Sequence, residues 1–168
     1  MTAQQDWLRR LVSLYLQGCG SYPKRMGLSP HQWVQLPLPA RQPLIPADTQ
    51  MRHQLMSELI ATRSDEQQQL TLWLAEYMQP DAEPMHCIIA SVSLAFNHLW
   101  EDLGLSSRAE LRQLMSDCFP ELVVMNDKNM RWKKFFYRQR CLHAQGELIC
   151  RSPSCDECCE RQVCFDNS

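Results

Sequence analysis

Five cysteines fall between positions 150 and 164: Cys150, Cys155, Cys158, Cys159 and Cys164. Four of them read as C-x4-C-x2-C-x5-C. Thiolates are soft, anionic ligands, and this closely spaced they repel one another unless a metal, an iron–sulfur core or disulfides take them up. The C-x2-C step turns two sulfurs toward one centre in a single tight turn, and both zinc and iron–sulfur sites use it. Pro153, Ser152 and Ser154 favour a loop here. A loop can aim its sulfurs inward from several directions, which one helix face cannot. Structural zinc sites usually separate two such knuckles by a long spacer, whereas this run holds one x2 step flanked by x4 and x5. That compactness is closer to the runs that wrap a cluster, with zinc the open competitor. Spacing does not identify the metal. Cys141 and His143, seven to nine residues upstream, are the nearest candidates for extra ligands.

The composition limits what such a site serves. In 168 residues, 45% of them hydrophobic, there is room for one cored domain with a tail. A net charge of -2 supplies no global field toward nucleic acid or a membrane surface. Locally, Lys128, Arg131, Lys133, Lys134, Arg138 and Arg140 follow one another with no acid among them, and an acidic, cysteine-rich segment comes next. Lys133, Lys134 and Arg138 are candidates to meet an oxyanion or an acidic partner. Nine cysteines, an odd count, argue against a fully paired secreted framework. No stretch approaches the roughly 18 apolar residues of a membrane span. Arg9-Arg10 before Leu11–Leu16 and Gln17-Gly18-Cys19 imitates a lipoprotein signal, but the apolar run is short and fits one face of a helix. A cytoplasmic protein, its thiols reduced or metal-bound, is expected.

The elements that must position the cysteines read as helices. Residues 4–16 form an amphipathic helix stopped by Gly18-Cys19-Gly20. Six of the ten prolines lie in 21–47, an extended or irregular excursion expected to cross the helical body or to be partly mobile. Residues 49–62 read as a helix, with Met51, Leu55 and Leu59 at i+4 steps. Ser64-x-x-Gln67 reads as a capping box that opens the next helix. Apolar residues from Met85 to Leu103 recur at helical spacing and predict one central core helix, with His86 and Cys87 in its first turn and Gly104 at its end. Ser107-x-x-Glu110 opens a helix ended by Pro120, with Cys118 in its last turn reading as a buried free thiol. Asn126 or Asp127 caps a last helix over roughly 127–143, where aromatics alternate with the six cations. The expected fold is all-α: a bundle of about five or six helices over 1–143 and a Cys-rich C-terminal loop over 144–168 that binds a metal cluster. No phosphate-cradling glycine loop, HExxH or Ser-His-Asp arrangement is legible, and no enzyme is expected.

His98-Leu-Trp-Glu-Asp-Leu-Gly-Leu105, Ser107-Arg-Ala-Glu-Leu111, Phe119-Pro120, Asn129-Met-Arg-Trp-Lys-Lys-Phe-Phe-Tyr-Arg138 and the closing C-x4-C-x2-C-x5-C resemble, in that order, the NifQ family of the nitrogen-fixation system. The resemblance covers roughly 85–165. It implies a role in building the iron–molybdenum cofactor of nitrogenase: carrying a molybdenum–iron–sulfur cluster, with molybdate a candidate metal source, and delivering molybdenum to the NifEN scaffold and the NifH iron protein. Cys150, Cys155, Cys158 and Cys164 match the family's motif and are implied cluster ligands. Cys118 and Cys159 are further thiols that the resemblance leaves as candidate ligands. Two other classes stay open: a zinc-stabilised interaction module and a small iron–sulfur electron-transfer protein.

Overall fold

The computed structural model describes the backbone of residues 2–145 and the side chains of residues 2–140. Among the described residues there are nine α-helices, two 3-10 turns and no strand. Helix α1 (Ala3–Leu16) starts on a capping box, in which the Thr2 hydroxyl accepts from the Gln5 amide. It buries Leu8, Leu11, Val12, Leu14, Tyr15 and Leu16. Trp7 Nε1 donates to the Asp117 carboxylate at 2.7 Å and fastens α1 to the far end of α7 (Arg108–Cys118).

The Pro-rich segment lies against the helical body, with Leu36 buried in the core and Trp33, Leu38 and Ile45 packed against it. It also holds a helix that composition concealed. Pro30 stands at the first position of α2 (Pro30–Val34), where its missing N–H costs nothing, and Ser29 with Gln32 forms the capping box. Helix α3 (Ala47–Ala61) follows. It buries Thr49, His53 and Ile60, whereas Met51 and Leu55 are 66% and 58% exposed. Helix α4 (Ser64–Ala75) begins where expected but without the expected cap. Gln67 instead turns inward and donates to Ser91 Oγ at 2.7 Å, tying α4 to its neighbour α5.

The single helix expected over 85–103 is the main correction. Helix α5 (Met85–Val92) stops, a turn follows, and α6 (Leu99–Asp102) restarts the chain. Periodicity runs through the break, because the apolar residues on both sides face one core; only Phe96, in the turn, is 79% exposed. Charged groups hold the turn open. The carbonyl of Leu94 accepts from Arg63, those of Ala95 and Asn97 from Lys133, and the Asn97 amide donates to Asp102. These replace the hydrogen bonds a continuous helix would supply.

Pro120 ends α7 as expected and opens α8 (Pro120–Met125). Asn126 does not cap the last helix. Its side chain bonds both the N–H and the C=O of Met130, closing a loop that delays α9 to Trp132–Gln145. Trp132, Phe135 and Phe136 of α9 are buried, and Phe136 meets Trp73 of α4 edge-on. The expected boundary at 143/144 falls at the edge of the described backbone.

Candidate metal centre

Cys150, Cys155, Cys158, Cys159 and Cys164 lie outside the described residues. Cys141 and His143 ride on the last turns of α9, with their side chains also outside. What the structure gives is the platform that carries the chain toward them. Helix α9 spans about 21 Å at 1.5 Å per residue and is anchored by its aromatic face. Tyr137 stays exposed, and Arg140 donates to Gln69 of α4 at 3.1 Å.

Among the described residues, no three His, Cys, Asp or Glu side chains converge as metal ligands. The cysteines there are free and dispersed. Cys118 is fully buried in the apolar core, and burial, with Asp117 adding to it, pushes its thiol up to about 12. Without a metal a thiol so held stays protonated at neutral pH, and its environment is that of a core residue. Cys19 is half-buried beside Gly104, and Cys87 lies next to His86.

The three cations proposed to meet an oxyanion or partner separate in the structure. Lys133 is committed inward. Its Nζ donates to Asp102 Oδ2 at 2.6 Å and to the carbonyls of Ala95 and Asn97, and its side chain is 23% exposed. Burial lowers its pKa, while the Asp102 carboxylate opposes that shift. Lys133 is therefore a structural clamp with its three protons used within the fold. Lys134 and Arg138 are half-buried on α9, and by register they share one helical stripe with position 141. Sequence reasoning missed Asp102, the fully buried partner that decides which lysine turns inward. An acid 31 residues upstream, in a stretch read as a helix end, carries no local signal.

The sequence comparisons then decide the family. The NifQ family model matches residues 7–166, a span that includes most of the first helix, the Pro-rich segment and all four cysteines of the motif. This chain belongs to the NifQ family. It is 67% identical over 163 residues to Protein NifQ of Klebsiella pneumoniae, covering 96% of this chain and 98% of that one. Protein NifQ of Azotobacter vinelandii is 36% identical over 174 residues, covering 97% of this chain and 88% of that one. Protein NifQ of Rhodobacter capsulatus is 50% identical over 96 residues, 57% of this chain and 53% of that one. No solved structure matches. The chain is thus a nitrogen-fixation protein of the NifQ family, and the family spans nearly all of it, well beyond the 85–165 over which the resemblance was legible. No described helix is long and apolar enough to cross a membrane.

Proposed function

We propose that this NifQ-family protein is a molybdenum carrier for synthesis of the nitrogenase iron–molybdenum cofactor. It holds a molybdenum–iron–sulfur cluster as cargo on Cys150, Cys155, Cys158 and Cys164, and passes molybdenum to the NifEN scaffold and the NifH iron protein. The observation that carries the reading is the C-x4-C-x2-C-x5-C run inside the span matched by the family model. Four thiolates at uneven spacing suit the corners of a cubane, and a cluster supplies a metal corner whose ligands exchange. The chain's own part is to hold, present and release. The aromatic face of α9 fixes the helix that leads into the motif. Lys134 offers a cation for molybdate or an acidic partner, with Arg138 on the same helical stripe, while Lys133 stays with Asp102. The work is transfer rather than turnover, and the compartment is the cytoplasm.

Elemental analysis of anaerobically purified protein, with its visible spectrum, tests this. Iron with molybdenum in a brown protein is the expected result. One zinc in a colourless protein would instead favour a zinc-stabilised module, and iron without molybdenum with a reversible couple would favour electron transfer.

A further inference from the structure

The start of α5 brings two metal donors together. His86 Nε2 lies 3.5 Å from Cys87 Sγ. A cation bound about 2.0–2.1 Å from an imidazole nitrogen and 2.3 Å from a thiolate, at a near-tetrahedral angle, sets those two atoms about 3.5 Å apart. The pair stands at that spacing, and a three-coordinate ion at about 120° needs it to open only to about 3.8 Å. Gln32 of α2 donates to the same sulfur through Nε2 from 3.6 Å, and such a donor strengthens as the thiol becomes a thiolate. Both residues are half-buried, so the site is sheltered yet open to a small ion. Among the described residues His86 Nδ1 has no hydrogen-bond partner, and the Nε2–Sγ contact admits either tautomer. With the proton on Nδ1, Nε2 presents its lone pair toward the sulfur. Burial lowers the pKa of His86 and raises that of Cys87, so the empty pair is neutral at pH 7.

We propose that His86 and Cys87 form a second metal site, separate from the tail thiols, that takes one thiophilic copper(I) ion with Gln32 bonded to the thiolate. On binding, the Cys87 S–H bond breaks and its proton leaves to solvent. Sγ–copper and Nε2–copper bonds form, with no change of oxidation state. Zinc is the poorer occupant, because it seeks four ligands and no third His, Cys, Asp or Glu converges here among the described residues. Copper(I) is satisfied by three donors, here Nε2, Sγ and a small thiol or solvent molecule. The bound ion would draw α2, and with it the Pro-rich segment, onto the core helix.

The test uses the full-length chain with Cys150, Cys155, Cys158, Cys159 and Cys164 all changed to Ser, so that the tail cannot compete. Copper(I) is titrated anaerobically against the coloured chelator bicinchoninate. One equivalent retained by this parent is expected. It should be lost in Cys87→Ser and His86→Gln, kept in Cys19→Ser, and weakened about tenfold in Gln32→Leu. Far-UV circular dichroism reports whether each variant is folded, and copper(I) should raise the melting temperature of the parent but not of Cys87→Ser. A parent that holds no copper against the chelator overturns the site, as does copper retained in Cys87→Ser or lost in Cys19→Ser. The assay contains no molybdenum, so its outcome is independent of the carrier reading.

Discussion

At the scale of residues, the costliest arrangement is the buried pair of Asp102 and Lys133. Asp102 is 0% exposed, and beyond Lys133 it accepts from the backbone and side-chain amides of Asn97. Removing one partner leaves the other charge buried without its counterion, a loss of about 3 kcal/mol or more. Asp102→Ala should therefore lower the urea midpoint strongly, since it also frees the 94–97 turn. Lys134→Ala, on the same helix but without a buried carboxylate, should shift it by less than about 0.5 kcal/mol. A second residue ties stability to pH. His53 stacks on Tyr15 with ring centroids 4.4 Å apart, and burial, with Arg52 adding to it, lowers its pKa below 6.5. The unfolded chain takes up this proton near pH 6.5 and the folded chain resists it, so the contribution is full above 6.5 and is lost as pH falls toward the folded value. Denaturation midpoints measured from pH 7.5 to 5 should decline, and His53→Phe, which keeps a ring against Tyr15, should flatten part of that decline. An unchanged slope in His53→Phe would remove His53 as its source.

At the scale of elements, what was legible depended on whether the signal was local. The Ser107 cap of α7 is local: its hydroxyl accepts from the Glu110 amide at 3.1 Å, as the sequence pattern requires. Ser107→Ala should cost about 1 kcal/mol in thermal or chemical unfolding. Glu110 does not close the box on Ser107 but reaches back to the Ser106 amide and to Arg10, so half of the pattern serves a tertiary contact. The break between α5 and α6 was illegible for the opposite reason. The turn is held by Arg63 and Lys133, each thirty-odd residues away along the chain, and the apolar spacing of Met85 to Leu103 carries no trace of them. Gly20 shows the same nonlocal logic. It sits at φ +75°, and a Cβ there would run into the Asp102 carbonyl and come within 3.0 Å of the Gly104 amide, both backbone. The sequence marks Gly20 as a helix stop, but the structure makes it the point where the chain leaving α1 touches α6, with Ser21 N–H bonded to Asp102 O at 2.7 Å. Helix α3 shows the limit of reading i+4 spacing as burial: Met51 and Leu55 share a stripe yet face outward, because His53 and Ile60 take the inner side.

At the scale of the molecule, the fold and the proposed chemistry are divided along the chain. The described helices bury their own thiol at Cys118, close their core around Trp73, Trp132 and Phe136, and bring no three metal-binding side chains together. Under the carrier reading, that division lets the cluster be taken up and given away without unmaking the fold, since the ligands at 150–164 follow the last core helix rather than interrupting it. The proposed ligand set is legible in the sequence because spacing is local. The sequence did not reveal that Lys133 is held inward, because that depends on the Asp102 contact. Two consequences separate carrying from delivering. Cys155→Ala should abolish iron and molybdenum content, read by elemental analysis, while far-UV circular dichroism and the urea midpoint stay within about 0.5 kcal/mol of the parent, since no described core contact involves it. Lys134→Glu with Arg138→Glu should leave metal content intact and slow molybdenum transfer to the scaffold proteins. That deficit should shrink as ionic strength rises, because screening weakens the parent's own attraction and the doubled variant's repulsion together. Metal lost in the charge-reversed variant would make these cations part of the cluster's surroundings. A transfer rate unchanged at low salt would place the docking face elsewhere on the molecule.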